Sequence, residues 1–167
     1  MMSIAIRPAL TRMWAMLFCA GLLAAGCKSL GLSDEQITAL KDAGFHKEEE
    51  GWELDFEGLL LFESNASELT PHSRETIVRT VKLLKDIGIG QVRVEGYADN
   101  TGNKAHNEKL SLARAEAVAQ EIERAGLPRS NITVKGFGAA NPVGNNKTRE
   151  GRAQNRRVAI IIQVDDL

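Results

Sequence analysis

An acid and a base in the second half of the chain, Asp99 and Arg114, are the residues best equipped for chemistry. Asp99 closes the run Val94-Glu95-Gly96-Tyr97-Ala98-Asp99, where a strand pattern gives way to a loop, and loops collect ligand-facing groups. Arg114 falls in the first half of a long helical pattern that follows. An acid and a base on neighbouring elements can grip a zwitterion from both ends. The carboxylate takes the ammonium, and the guanidinium fork gives two parallel hydrogen bonds to the ligand's carboxylate. The same two residues could instead pair with each other as a surface bridge of little energetic weight. Arg152, Asn155 and Arg156 could add a basic wall to the groove, or could hold carbonyls and acids of the fold. Asn107 and Ser111 could shape the pocket through hydrogen bonds. Other chemistries lack their residues. His46, His72 and His106 are scattered and form no ligand pair at helical spacing. The chain has no Gly-x-Ser-x-Gly, metal-ligand cluster or Walker loop, so neither an enzyme nor a metal or cofactor is expected. A formal net charge of −1 does not suggest a nucleic-acid binder.

The elements that must carry these residues can be read from patterning. Ser33 with Gln36 is a capping-box pair opening a short helix that Gly44 ends. Gly51 to Phe62 reads as a strand or hairpin, with Trp52, Leu54 and Phe56 alternating. Thr70-Pro71 starts a helix with Ile77, Val81 and Leu84 on one face, stopped by Gly88. Residues 91–97 form a second strand, with Val92 and Val94 inward against Arg93 and Glu95. A long helix runs from about Ala105 to Ala125. A third strand covers 131–135. A short helical turn covers Arg149 to Asn155, and a strongly apolar strand covers 158–164. The order implies an α/β fold, an α+β sandwich with helices on one face of a mixed four-stranded sheet.

The N-terminus has a different character. Arg7 and Arg12 precede a nearly apolar run from Trp14 to Ala25. That run is shorter than the roughly 20 residues a spanning helix needs, so it reads as a secretory signal. Its end, Leu23-Ala24-Ala25-Gly26-Cys27, resembles a bacterial lipobox. The resemblance implies removal of residues 1–26 and acylation of Cys27 by several chains, which hold a protein to a bilayer firmly where one chain does not. Cys19 would leave with the signal, so no thiol would remain for a disulfide or a nucleophile.

Two stretches carry a second resemblance. One runs Val94-Glu95-Gly96-Tyr97-Ala98-Asp99-Asn100-Thr101-Gly102, then Asn107, then Leu110-Ser111-Leu112-Ala113-Arg114-Ala115. The other holds Gly136-Phe137-Gly138, Pro142 and Gly151-Arg152-Ala153-Gln154-Asn155-Arg156-Arg157-Val158. Over about residues 52–163 they resemble the OmpA-like C-terminal domain of outer-membrane proteins and lipoproteins. The resemblance implies binding of peptidoglycan through diaminopimelate of the stem peptide, with Asp99 on the ammonium and Arg114 on the carboxylate. It implies that Gly102, Asn107, Phe62 and Arg152 complete the site. Two positions depart from the family: Tyr97 stands where a His is frequent, and Glu63 follows Phe62 where an Asp is frequent.

The expected organisation is a signal at 1–26, a lipidated tether with a helical arm at 27–51 and the domain at 52–167. The chain would sit on the outer membrane and face the periplasm. The bland expectation for the arm is docking on its own domain; the sharper one is a movable or partner-binding arm. Leu32-Ser33-Asp34-Glu35-Gln36-Ile37, Gly44-Phe45 and Glu50-Gly51-Trp52-Glu53 narrow the resemblance to lipoproteins of a periplasmic signalling system. That implies a second partner, a soluble inhibitor protein that otherwise represses an inner-membrane diguanylate cyclase. Leu40, Phe45 and Trp52 are the candidate partner-binding residues. The alternative is a structural anchor of outer membrane to wall with no signalling partner. A homodimer is left open.

Overall fold

The computed structural model describes residues 31–57, 62 and 68–163. The expected signal, Cys27 and Glu63 lie outside them. The first helix, α1, spans Asp34–Asp42, and its capping box is complete: Ser33 Oγ accepts from the Gln36 N–H at 3.2 Å, and Gln36 Oε1 accepts from the Ser33 N–H at 2.8 Å. At its other end Gly44 adopts φ +92°, a conformation costly for other residues. That turn sends the Phe45 N–H back to the Leu40 carbonyl at 2.9 Å. The same cap ends α2 (Pro71–Asp86) and α3 (Lys104–Arg124), where Ile89 bonds back to Leu84 and Leu127 to Ile122. All six residues of these three pairs are buried, so each helix ends by pinning the next segment into the core.

The strands are β1 (His46–Glu48), β2 (Gly51–Glu57), β3 (Val92–Gly96), β4 (Ile132–Gly136) and β5 (Arg157–Ile162), with a short helix α4 (Arg149–Asn155) before the last. They form one five-stranded sheet in the order β1-β2-β5-β3-β4. Among the described strands only β3 and β4 pair in parallel, and α3 is the crossover that such a pair requires. The expected four-stranded sheet therefore gains an edge strand, β1. It was not legible because His46-Lys47-Glu48 is wholly exposed and shows no alternation; its pairing to β2 is a backbone matter.

The inward residues Trp52 and Leu54 of β2, Val92 and Val94 of β3 and Val158, Ile160 and Ile162 of β5 pack with Ile77, Val81 and Leu84 of α2 and Ala115, Val118 and Ile122 of α3. Burial of this apolar surface is the main force holding the layers together. Leu40, Phe45 and Trp52 belong to the same core, at 0%, 3% and 4% exposure. Considered above as a partner-facing patch, these side chains have no surface to offer while α1 is docked. The physical reason is that a helix this short buries its one apolar stripe on the nearest sheet rather than standing alone. Gln36 Nε2 adds a hydrogen bond to the Ile87 carbonyl at 2.8 Å. The arm and the sheet thus share one hairpin and one core.

One close approach positions the functional residues. Gly96 and Gly136 face each other at the last rung of β3 and β4. A Cβ on Gly96 would stand 2.0 Å from the Ser111 carbonyl oxygen, and one on Gly136 2.6 Å from the Leu112 nitrogen. Only because both are glycine can α3 lie against the strand ends and bring Asn107, Ser111 and Arg114 beside the loop that begins at Tyr97.

Candidate ligand-binding cleft

Asp99 stands just past the end of β3, and its carboxylate organises the loop. Oδ1 accepts from the Thr101 N–H at 2.8 Å and from the Thr101 hydroxyl, an Asx turn. Oδ2 accepts from Arg156 Nη1 at 2.6 Å. Burial by itself would raise the carboxyl pKa, but the bonds from Thr101 and Arg156 outweigh it and hold Asp99 below its ordinary range. Of the two sequence readings for Asp99, a mutual pair with Arg114 or a ligand contact, the structure gives Asp99 a different direct partner, Arg156.

Arg114 is buried, and its guanidinium lies 5.2 Å from the centre of the Phe62 ring, a cation–π contact. Burial and the nearby charge of Arg156 lower its pKa, while Asp99 opposes the change. Arg114, Arg156 and Asp99 therefore sense one another's charge. Among the described residues, the Asp99 carboxylate acts on both guanidiniums, directly on Arg156 and at longer range on Arg114. Such a cleft favours a ligand that brings a carboxylate, and the Asp99 lone pairs not engaged by the protein can receive an ammonium of the same ligand.

Among the other expected site residues, Phe62 reaches the cleft as the platform under Arg114. Asn107 is buried and clamps the loop, donating to the carbonyls of Asp99 at 3.0 Å and Thr101 at 2.9 Å. Gly102 turns that loop at φ +85°. Ser111 accepts from the Gly138 N–H at 2.9 Å, tying the glycine-rich loop to α3. Arg152 donates to the Asn146 carbonyl at 3.0 Å. Asn155 accepts from the N–H groups of Val143 and Gly144, and donates to the Gly144 carbonyl and Asn146 Oδ1. Asn107, Arg152 and Asn155 thus shape the cleft's rim through backbone groups. Arg156, left between a structural and a ligand role by the sequence, touches Asp99 directly.

Tyr97 points to the opposite side of the sheet. Its ring stacks on Phe137 at 5.4 Å between centres and lies under the Arg157 guanidinium, and its hydroxyl donates to Glu95. Burial, then the bond to Glu95, pushes that hydroxyl above its usual range.

A helix-covered mixed sheet with a charged cleft at its strand ends defines a ligand-binding domain of the two-layer α/β class. The chain belongs to the OmpA family, whose profile matches residues 61–156. The outer-membrane lipoprotein YfiB of Pseudomonas aeruginosa is 45% identical over 145 residues, covering 84% of this chain and 86% of the relative. The peptidoglycan-binding protein ArfA of Mycobacterium tuberculosis is 37% identical over 105 residues, 63% of this chain and 32% of ArfA. Among solved structures, the cell wall anchor of the T6SS from P. aeruginosa is similar with a TM-score of 0.63 at 28% identity, covering 76% of this chain and 92% of that one.

Proposed function

We propose that the chain is a lipoprotein of the outer membrane, anchored at Cys27 and facing the periplasm, that binds peptidoglycan through the diaminopimelate of its stem peptide. The observation that carries this is the cleft's grouping of opposite charges: the carboxylate of Asp99 beside the guanidiniums of Arg156 and Arg114. A diaminopimelate centre offers an ammonium for Asp99 and a carboxylate for Arg114. The names of the similar proteins, a peptidoglycan-binding protein and a cell wall anchor, support the same reading. The test is co-sedimentation with purified peptidoglycan. Asp99→Asn and Arg114→Ala each remove one charge-assisted contact, worth ~1.5–3 kcal/mol, and are expected to weaken binding about tenfold to a hundredfold. Circular dichroism checks that both variants remain folded. Unchanged sedimentation of both overturns the site.

The resemblance to YfiB supports a further role: capture of a soluble periplasmic inhibitor, which relieves repression of an inner-membrane diguanylate cyclase. The burial of Leu40, Phe45 and Trp52 favours, for the docked arm, the other reading, a wall anchor without a signalling partner. The two readings join if the arm must leave the core before the inhibitor can bind.

A further inference from the structure

The sheet face turned away from the helices carries a second polar site. Asp55 of β2, Arg157 of β5, Gln154 of α4 and Val143 of the preceding loop surround a cavity of about 280 Å³. Arg157 is 7% exposed. Its Nε donates to Asp55 Oδ1 at 3.0 Å, and its guanidinium lies 3.8 Å from the Tyr97 ring centre. Its Nη1 is buried with no hydrogen-bond partner among the described residues. A buried N–H without an acceptor is destabilising until something accepts from it. Val143 (63% exposed) and the exposed Gln154 line the open side of the cavity, with Arg157 and Asp55 behind them.

Among the four residues that line this cavity the formal charges cancel. Asp55 balances Arg157. Beside Asp55 on the same face, burial and then the Asp55 charge push the Glu53 carboxyl up to about 7, so it is largely neutral in mildly acidic solution. His46 Nε2 stands 3.8 Å from Asp55 Oδ2 at the far side. A lining that is polar and close to neutral suits neither a free anion nor a free cation. It suits an uncharged ligand dense in hydroxyls and amides, with a small apolar group for Val143.

We propose that this cavity takes an acetamido sugar, whose carbonyl accepts from Arg157 Nη1, whose hydroxyls donate to Asp55 and Gln154, and whose methyl packs on Val143. The inference rests on the wall-binding reading for its source, because N-acetylated hexoses make up the glycan of peptidoglycan. Consecutive residues link the two sites: Arg156 serves the cleft and Arg157 the cavity. The loop from Val143 to Asn146, pinned by Asn155, lies between them. A glycan and its own stem peptide can then meet one loop from two sides.

The test is amide-shift mapping of the full chain in detergent micelles against four probes: chitohexaose, cellohexaose, peptide-free glycan strands and a stem peptide containing diaminopimelate. Chitohexaose and the glycan strands are expected to shift Asp55, Val143 and Gln154. Cellohexaose, which has the same linkage and no acetamido group, should leave them still. Gln154→Ala removes one neutral hydrogen-bonding partner and should weaken chitohexaose about threefold to tenfold. Val143→Trp, at an exposed position, should close the mouth and abolish the shifts. Shifts that survive Val143→Trp, or cellohexaose shifting these residues as strongly, overturn the proposal. A silent cavity with a stem peptide that still shifts Asp99 and Arg114 overturns it alone. A silent cleft with the stem peptide overturns the wall-binding reading, and chitohexaose shifts at Val143 and Gln154 would then still support the sugar site.

Discussion

Glu53 on β2 and Asp99 just past the end of β3 are carboxylates whose surroundings push them in opposite directions. Burial, then the charge of Asp55, raises Glu53 from 4.5 to about 7; Thr101 and Arg156 overcome burial and lower Asp99. The consequences for stability have opposite signs. Between about pH 4.5 and 7 the folded chain holds a proton on Glu53 that the unfolded chain has lost, so this group's contribution falls as pH rises through that window. Because Glu53 is only partly buried, solvent screening reduces the effect to on the order of 1–2 kcal/mol. Asp99 contributes stability above its ordinary 3.8, and the contribution is lost as pH falls through its lower folded value. Denaturant melts at pH 5 and pH 7.5 check the first statement: wild type should lose midpoint between them and Glu53→Gln should not. Equal losses in both would show that Glu53 is not the titrating group. At this scale Asp99 and Arg114 were legible in the sequence, one at a strand end and one on a helix. The direct pairing of Asp99 with Arg156 was not. Arg156 caps α4 at φ −82°, ψ 81°, neither helical nor extended, so no periodicity says where it points. Nor did alternation reveal that Arg93 and Glu95, on the face without helices, are buried: their guanidinium and carboxylate lie 2.6 Å apart and cover one another.

Elements were legible where their ends are chemically marked. Ser33 with Gln36, Thr70 before Pro71 and the glycines after α1, α2 and α3 act on neighbours a few residues away, so local letters suffice. The edge strand β1 depends on a partner strand and has no such mark. Helix α1 also shows how a local element and a global core become one. Leu40 both accepts the cap bond from Phe45 and fills the core. Leu40→Pro removes a helix hydrogen bond at about 3 kcal/mol, in addition to the lost packing. Hydrogen exchange should then accelerate across 34–45 while the amides of β3 and α3 stay protected. Under the signalling reading, affinity for the purified inhibitor should change while sedimentation with peptidoglycan does not. Titration calorimetry giving equal inhibitor affinity for both proteins would reduce the arm to a spacer.

For the whole molecule, the decisive question is where its two ends of attachment lie. Cys27→Ser offers no thioether for a diacylglycerol. Lys28 follows the cysteine, and no acidic inner-membrane retention residue stands there. Fractionation should therefore find the wild type with outer membranes and the serine variant lost from them; a serine variant that stays with outer membranes equally well would reject the lipid anchor. The position of β1 has a mechanical consequence. If the proposed lipid holds the chain ahead of α1 and the wall holds it at the cleft, it is pulled from its N-terminus, so load enters at α1, passes to β1 and only then reaches β2. Strand β1 joins the sheet along one edge through a hairpin with three register pairs. A hairpin pulled from its open end peels one rung at a time, while β2 beyond it remains held by the longer ladder to β5. Under the anchored, wall-bound reading the arm is a mechanical fuse in series with the domain: it yields first, lengthens the tether by about 3.3–3.6 Å per freed residue, and keeps the tension on the cleft low until that slack is spent.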